Sequence, residues 1–189
     1  RMVTQYSEFD RVLGGGLIKG EVVLITGSPG IGKSTFLLQL SQEYSKIGTV
    51  FYVSGEESPR QIKQRSDRIN VRSENLYILN EITIEKIESV ILKERPKVVV
   101  IDSIQTLQSV NSNSLPGSVS QIRETTLKII EIAKRYEIAF YIVGHVTKDG
   151  KLAGPKLLEH MVDAVLQLEG EENNYFRIVR SIKNRYGST

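Results

Sequence analysis

A glycine-rich segment after a short apolar run has the residue types and spacing of a phosphate-binding loop. The segment consists of Gly27, Ser28, Pro29, Gly30, Ile31, Gly32, Lys33, Ser34 and Thr35. Its spacing matches G-x-x-x-x-G-K-[ST], which in nucleotide-binding proteins lies between a strand and a helix. Glycines let backbone N–H groups approach phosphates at a helix N-terminus. We therefore expect nucleotide binding here, with Lys33 at the β- and γ-phosphates and Thr35 near the α-phosphate.

A carboxylate that could hold a metal ion follows the apolar run at residues 98–101. This residue is Asp102, at the carboxyl end of a predicted buried strand. Open α/β sheets bind ligands at that edge, and P-loop enzymes hold Mg²⁺ there through such an aspartate. The alternative is an aspartate that only caps a loop. The sequence predicts a Mg²⁺ site formed by the Ser34 hydroxyl and Asp102.

Two glutamates, Glu56 and Glu57, follow another predicted buried strand at residues 50–54. A carboxylate at this edge could accept a proton from water that attacks the γ-phosphate. The alternative is an acidic helix start before Pro59, where the helix dipole favours negative charge. We expect Glu56 to be the general base, with Glu57 assisting or substituting.

Two cations, Lys183 and Arg185, end the last predicted strand one residue apart. Alternate residues of a strand project from the same face, so both side chains have one target. The simple interpretation is a solvated edge strand. In P-loop enzymes, however, a cation supplied in trans can stabilise charge on the γ-phosphate. We therefore expect Lys183 and Arg185 to act on the nucleotide of a neighbouring subunit.

His145 follows the predicted strand at residues 139–143, at the same edge of the sheet. A polar residue at this position could contact the γ-phosphate and report hydrolysis to the loop that follows. A structural histidine that makes a loop hydrogen bond is the alternative.

Two polar loops also leave this edge, at residues 108–121 and 146–156. The second contains Lys148, Lys151 and Lys156 among glycines. Such lysines could contact nucleic-acid phosphates without reading sequence, although a solvated flexible loop has the same composition. Neither loop contains an aromatic residue for base stacking. We therefore expect any DNA binding here to be salt-sensitive and tolerant of sequence.

Short apolar runs alternate with longer helical patterns along the chain. Runs rich in valine, isoleucine and aromatic residues predict buried strands, and amphipathic segments between them predict helices. Such alternation predicts an α/β fold with a mostly parallel sheet covered on both faces. Two further runs near the end predict a β-hairpin. The strands are expected at 21–26, 50–54, 98–101 and 139–143, and the helices at 32–47, 59–69, 84–95 and 119–136.

The composition of the 189 residues excludes several other classes of protein. The chain is 40% hydrophobic and 25% charged, which is ordinary for a globular protein. It has no cysteine and two histidines, which excludes disulfides and cysteine-based zinc sites within it. No apolar run approaches the roughly 18 residues that a membrane span needs. We expect a cytoplasmic protein without a membrane partner, and its net charge of +3 permits nucleic-acid binding without requiring it.

We expect the strand before Glu56 to lie next to the P-loop strand and not beside Asp102, which is the layout of the RecA-like ATPases. Further motifs lie at residues 8–35, 52–58, 98–106, 143–163 and 183–189. Through these motifs the chain resembles, along nearly its whole length, the ATPase core of the RadA (Sms) family of bacterial DNA-repair proteins. Tyr186 departs from the family's usual Lys-Asn-Arg-Phe-Gly pentapeptide and leaves both cations in place.

The resemblance implies an ATPase that uses ATP and Mg²⁺ and assembles as a homo-oligomer, usually a hexameric ring, around single-stranded DNA. It would couple hydrolysis to branch migration in a helicase-like manner. We expect residues 1–189 to be a single RecA-like ATPase domain, excised from a longer protein without its zinc module and Lon-protease-like domain. By this resemblance Lys33, Ser34 and Asp102 bind the nucleotide and metal, and Glu56 is catalytic.

Two other functions remain open from the sequence. One is a KaiC-like oligomeric ATPase that acts in signalling or timing without DNA. The other is a nucleotide-gated DNA-binding scaffold in which hydrolysis only recycles the protein. Stimulation of the ATPase by single-stranded DNA would distinguish a DNA motor from the KaiC-like ATPase. Strand-displacement activity would distinguish a DNA motor from the DNA-binding scaffold.

Overall fold

The computed structural model describes residues 1–145, 153–170 and 177–189. None of the helices in these ranges is long and apolar enough to cross a membrane. A 3-10 turn at Ile104–Thr106 follows the fourth strand. The other elements, in chain order, are α1 (Ser7–Val12), β1 (Val22–Gly27), α2 (Lys33–Ser45), β2 (Val50–Ser54), α3 (Pro59–Arg68), β3 (Leu76–Leu79), α4 (Ile84–Glu94), β4 (Val98–Asp102), α5 (Val119–Tyr136), β5 (Ala139–Val143), α6 (Ala153–Met161), β6 (Ala164–Glu169) and β7 (Ile178–Asn184).

The strands form a seven-stranded sheet in the order β3-β2-β4-β5-β1-β6-β7. Neighbouring strands pair in parallel from β3 to β6, and β7 pairs antiparallel with β6. The predicted α/β class with a C-terminal hairpin is confirmed. The predicted buried strands correspond to β1, β2, β4 and β5. The expectation that the strand before Glu56 lies beside the P-loop strand was wrong, because β2 pairs with β4, the strand of Asp102, and β4 and β5 separate it from β1.

Successive residues of the central strands enter two cores on opposite faces of the sheet. On β2, Val50 and Tyr52 join the core that also contains Leu37 and Leu38 of α2. Phe51 of the same strand joins the core that contains side chains of α4 and α5. Helices therefore cover both faces, as expected for a sheet of parallel strands.

Two elements were not predicted from the sequence, β3 and α1. β3 is a four-residue edge strand whose side chains are mostly half-buried, and its Tyr77 is 50% exposed. Its sequence is a run of four apolar residues between Asn75 and Asn80, which the strand prediction did not include. α1 spans six residues, which is too short for an amphipathic period to repeat. β3 was therefore missed although it has a short local signal, whereas α1 has none.

The parallel strands end together at one edge of the sheet. β1, β2, β4 and β5 end at Gly27, Ser54, Asp102 and Val143. Parallel pairing aligns these ends, with Ser54 directly opposite Asp102. The segments that follow these strands therefore meet at this edge, which we call the carboxyl edge.

Candidate functional site

The glycine-rich segment connects β1 to α2 in a conformation that depends on its glycines. Gly30 and Gly32 have φ angles of 78° and 107°, which L-residues rarely adopt. A Cβ atom on Gly27 would lie 2.6 Å from the carbonyl oxygen of Leu168. Because α2 begins at Lys33, the loop lies at a helix N-terminus, where N–H groups and the helix dipole favour an anion. This backbone can accommodate phosphates.

The Lys33 ammonium group lies between this loop and two carboxylates. Its Nζ donates hydrogen bonds to the carbonyl oxygens of Gly27 at 2.8 Å and Ser28 at 3.0 Å. The residue is 4% exposed. Burial lowers the pKa of Lys33, whereas the negative charges of Asp102 and Glu56 raise it. Lys33, Asp102 and Glu56 are therefore close enough to interact electrostatically.

Asp102 is buried at the end of β4 and is held by a tyrosine from β2. The Tyr52 hydroxyl donates a hydrogen bond to Asp102 Oδ2 at 2.5 Å. Burial raises the pKa of Tyr52 well above its ordinary value, and the charge of Asp102 raises it further. The phenol therefore remains protonated and acts as a donor to the carboxylate.

The two predicted metal ligands fit a magnesium ion that binds together with a nucleotide. The Ser34 side chain interacts with the same phenol as Asp102, so the two ligands are near one another. Mg²⁺ prefers oxygen ligands and is usually held by one or two protein groups together with phosphates and waters. Within the described ranges, no group of three or more histidine, aspartate or glutamate side chains could hold a metal alone. Ser34 and Asp102, which lie beside a phosphate-binding loop, therefore suit a Mg²⁺ site that is completed by nucleotide phosphates and water.

Glu56 is oriented at the carboxyl edge by two polar neighbours. Its Oε1 accepts a hydrogen bond from Ser103 Oγ at 2.7 Å and lies 3.1 Å from His145 Nε2. The hydrogen bond with His145 lowers the pKa of Glu56. Partial burial opposes this effect, and Ser103 and Lys33 lower the pKa further. Glu56 is therefore an ionised acceptor in a fixed orientation, and the predicted contact of His145 with the γ-phosphate stays a prediction.

Glu57 points to a different partner. Its carboxylate forms an ion pair with Arg65 of α3, and its backbone N–H donates to Ser54 Oγ at 3.2 Å. The helix that carries Arg65 begins with a capping box formed by Ser58 and Gln61, which fixes the start of the helix directly after Glu57. Of the two glutamates, Glu56 is the one joined to the other predicted site residues.

A cleft of about 330 Å³ lies over these groups. Its lining includes Pro29, Gly30, Gly32, Lys33, Ser34, Thr35, Arg65, Arg68 and His145. A larger cleft of about 490 Å³ lies between α1, α2 and β7. That second cleft has none of the predicted catalytic residues, so we take the cleft over the glycine-rich loop as the candidate site.

The two C-terminal cations lie at the opposite end of the sheet. Lys183 Nζ donates to the carbonyl oxygens of Glu159 and Val162, both at 2.8 Å, near the end of α6. Arg185 Nη1 lies 3.3 Å from Oδ1 of Asp163, which is buried beside the start of β1. Both cations therefore have partners within their own subunit. Their predicted role at a neighbouring nucleotide stays a prediction.

Of the three lysines expected to bind DNA, only Lys156 lies in the described part of the chain. It is an exposed residue on α6, and Lys148 and Lys151 lie outside the described residues. The other predicted DNA loop starts near Ser109, whose hydroxyl donates to Glu85. The backbone N–H of Val110 donates to the same carboxylate at 3.2 Å, so Glu85 anchors the beginning of this loop.

Four residues with defined contacts to the predicted groups were missed from the sequence. Ser103 directly follows Asp102, so the predicted strand at residues 98–101 was enough to place it at the carboxyl edge. Tyr52 was found as part of a strand, but nothing local indicates which carboxylate it contacts. Arg65 contacts Glu57, 8 residues away, and Asp163 contacts Arg185, 22 residues away. These contacts depend on how elements pack, and no short pattern indicates them.

Comparison with known proteins gives three similarities. A family model described as an AAA domain matches residues 4–151. The full chain is 54% identical to the DNA repair protein RadA of Bacillus subtilis and 51% identical to that of Streptococcus pneumoniae. It spans 42% and 45% of those proteins, less than half their length. The fold matches a solved structure of an ATPase domain with a TM-score of 0.81 and 18% identity, over 99% of this chain and 84% of that one.

The contact between His145 and Glu56 makes a prediction about proton affinity. His145→Phe should raise the pKa of Glu56, because the variant removes the largest effect that lowers it. A lowered pKa means that the contact stabilises the fold above the ordinary glutamate pKa and that this stabilisation is lost as pH falls through the folded-state pKa. Carbon-13 NMR titration of the glutamate carboxyl groups measures the shift.

His160→Phe is the matched control, because His160 is exposed on α6 and makes no side-chain contact with Glu56. An unchanged Glu56 titration in His145→Phe would show that this contact does not set its pKa.

Proposed function

Because the chain belongs to the AAA domain family and matches the ATPase region of the DNA repair protein RadA, we propose that it hydrolyses ATP to drive DNA repair on single-stranded DNA. The observation that carries the proposal is the meeting of Lys33, Asp102 and Glu56 at one edge of the sheet. A phosphate loop, a metal carboxylate and an ionised glutamate are the groups that phosphoryl transfer to water requires.

In this proposal the glycine-rich loop and Lys33 hold the phosphates of ATP. Lys33 exchanges its hydrogen bonds to the Gly27 and Ser28 carbonyls for phosphate oxygens, and the Thr35 hydroxyl lies on the α-phosphate side. Ser34 and Asp102 hold Mg²⁺, which when bound neutralises charge on the phosphates. Fixed donors in a partly buried site need little reorganisation during the reaction, so they stabilise developing charge effectively.

Glu56 acts as the general base in this proposal. Water attacks the γ-phosphorus, and its proton moves to an Oε atom of Glu56 as the bond to ADP breaks. The support is that Glu56 is ionised and oriented by Ser103 and His145, whereas Glu57 is paired with Arg65. His145 bonds the base and lines the phosphate cleft, so it can respond to loss of the γ-phosphate.

We extend the proposal to a hexameric ring on single-stranded DNA that promotes branch migration. The support is the similarity to RadA proteins, the polar loop that starts at residue 108 and the lysines at 148, 151 and 156. Contacts through lysine would be made to phosphates and not to bases.

Stimulation by DNA tests this function. Single-stranded DNA should raise the ATPase rate, and the effect should weaken with salt, because binding releases counterions from the DNA. Replacing Lys148, Lys151 and Lys156 by alanine should raise the DNA concentration required for half-maximal stimulation. Lys93→Ala is the control, because Lys93 is exposed on α4 with its charge beside Glu94. A rate that does not depend on DNA would contradict the proposed DNA function.

The placement of Arg185 supports action in trans. Its partner Asp163 lies at the amino end of β1, roughly 17 Å along that strand from the phosphate loop at about 3.3 Å per residue. Arg185 therefore cannot reach the nucleotide of its own subunit. Its side chain is 49% exposed, whereas the side chain of Asp163 is 3% exposed. Asp163 keeps hydrogen bonds from Val22 N and Lys134 Nζ when Arg185 leaves.

Mixing variants tests the trans role. Arg185→Ala should bind ATP, but its rate of hydrolysis should fall by about 10³-fold, because it lacks the cation that stabilises the transition state in the neighbouring subunit. Mixing it with Glu56→Gln should restore some ATPase activity at interfaces that combine an intact Glu56 with an intact Arg185. Arg180→Ala is the control, because Arg180 on the same strand pairs with Glu169 and its side chain is 62% exposed. Absence of any recovery, with both variants assembling normally, would contradict the trans role.

A further inference from the structure

Tyr52 is a fully buried tyrosine whose hydroxyl group contacts the predicted metal carboxylate. On β2 it lies opposite Val100 of β4, and Asp102 is two residues further along that strand. An aromatic side chain can reach such a diagonal neighbour across two strands. The hydroxyl lies 2.5 Å from Asp102 Oδ2, with the two residues 0% and 4% exposed.

The hydrogen-bond partner of Asp102 is the neutral Tyr52 phenol, so the carboxylate keeps the negative charge that a metal ion requires. In the part of the chain that the structure describes, no lysine or arginine forms an ion pair with Asp102, and Lys33 Nζ donates to loop carbonyls. A paired cation would cancel the charge that attracts a divalent ion. A phenol instead fixes one carboxylate oxygen and leaves the negative charge in place. The other oxygen, Oδ1, accepts no hydrogen bond from the described residues.

Burial alone does not explain this choice of partner. A buried tyrosine hydroxyl needs a hydrogen bond, but this core offers another solution. Tyr141 on β5 is also 0% exposed, and its hydroxyl lies 2.9 Å from the hydroxyl of Tyr44. Tyr141 belongs to the same hydrophobic core as Tyr52. The contact of Tyr52 with Asp102 is therefore a specific feature of the carboxyl edge.

We infer that Tyr52 is a positioning residue for the magnesium site, whose hydroxyl holds Oδ2 of Asp102 and leaves Oδ1 for the metal. Groups that hydrogen-bond a metal ligand fix its orientation, and their loss typically costs 10–100-fold in metal affinity. The inference rests on the proposed function, since it requires Mg²⁺ to bind with a nucleotide at this edge.

The test compares metal-dependent and metal-free nucleotide binding. The wild-type chain, Tyr52→Phe and Tyr141→Phe are titrated with a fluorescent, non-hydrolysable ATP analogue over a range of Mg²⁺ concentrations and in EDTA. Tyr52→Phe should raise the Mg²⁺ concentration for half-maximal binding by about 10-fold, with unchanged affinity in EDTA. Tyr141→Phe removes an equally buried hydroxyl from the same core and should behave as the wild type.

Binding of Mn²⁺, followed by electron paramagnetic resonance, gives a second readout on the same variants. In an Asp102→Asn background, adding Tyr52→Phe should cause no further loss of metal affinity, because the group that Tyr52 positions is already impaired. This comparison also separates positioning from a general loss of fold.

A Mg²⁺ requirement in Tyr52→Phe equal to that of the wild type would overturn the inference while leaving the proposed function intact. An equal loss of binding with and without metal would also overturn it, because it would assign Tyr52 a general role in the cleft. If the wild-type chain binds no nucleotide with Mg²⁺, the proposed function fails and the inference fails with it.

Discussion

Backbone pairing between β2 and β4 places Ser54 opposite Asp102 and Tyr52 opposite Val100. The hydrogen bond between Tyr52 and Asp102 and the positions of the residues that follow both strands depend on this register. A slip of one residue would turn every side chain of the slipped strand to the other face of the sheet. The burial of both strands on two faces prevents such a slip, because it would exchange the side chains of two packed cores. The precision of the site therefore comes from the core.

The two ends of the sheet carry different chemical groups. The carboxyl edge carries the glycine-rich loop and the carboxylates, and the amino end carries Lys183, Arg185 and their acceptors. A subunit that presents a site at one end and cations at the other has the arrangement that a head-to-tail interface requires. Such interfaces close into rings when the rotation between subunits allows it. This arrangement supports the proposed ring without fixing the number of its subunits.

The fold and the grouping of the main candidate site residues could be predicted because their signals are local. The phosphate loop is a contiguous motif, and the buried strands are continuous apolar runs that end in polar residues. Knowing that parallel strands end at one edge is enough to group Lys33, Asp102 and Glu56. The partners of these residues could not be predicted, because Tyr52 and Asp102 are 50 residues apart and meet only through strand register.

The partners of Lys183 and Arg185 could not be predicted from the sequence either. The spacing of these cations on a strand suggested one shared target outside the subunit, yet β7 ends at Asn184, between the two cations. Lys183 bonds the carbonyls at the end of α6, while Arg185 bonds a buried aspartate. The end of α6 and its connection to β6 supply these partners, and the strand pattern contains no information about them.

The central claim is that Glu56, and not Glu57, removes the proton from the attacking water. The most direct measurement compares single-turnover ATP hydrolysis by Glu56→Gln and Glu57→Gln, two variants that change the same group at adjacent positions. We expect Glu56→Gln to bind ATP with Mg²⁺ and lose at least about 10²-fold in rate, the usual contribution of a general base. Glu57→Gln should retain most of the rate. Normal hydrolysis by Glu56→Gln, or an equal loss in both variants, would contradict the account.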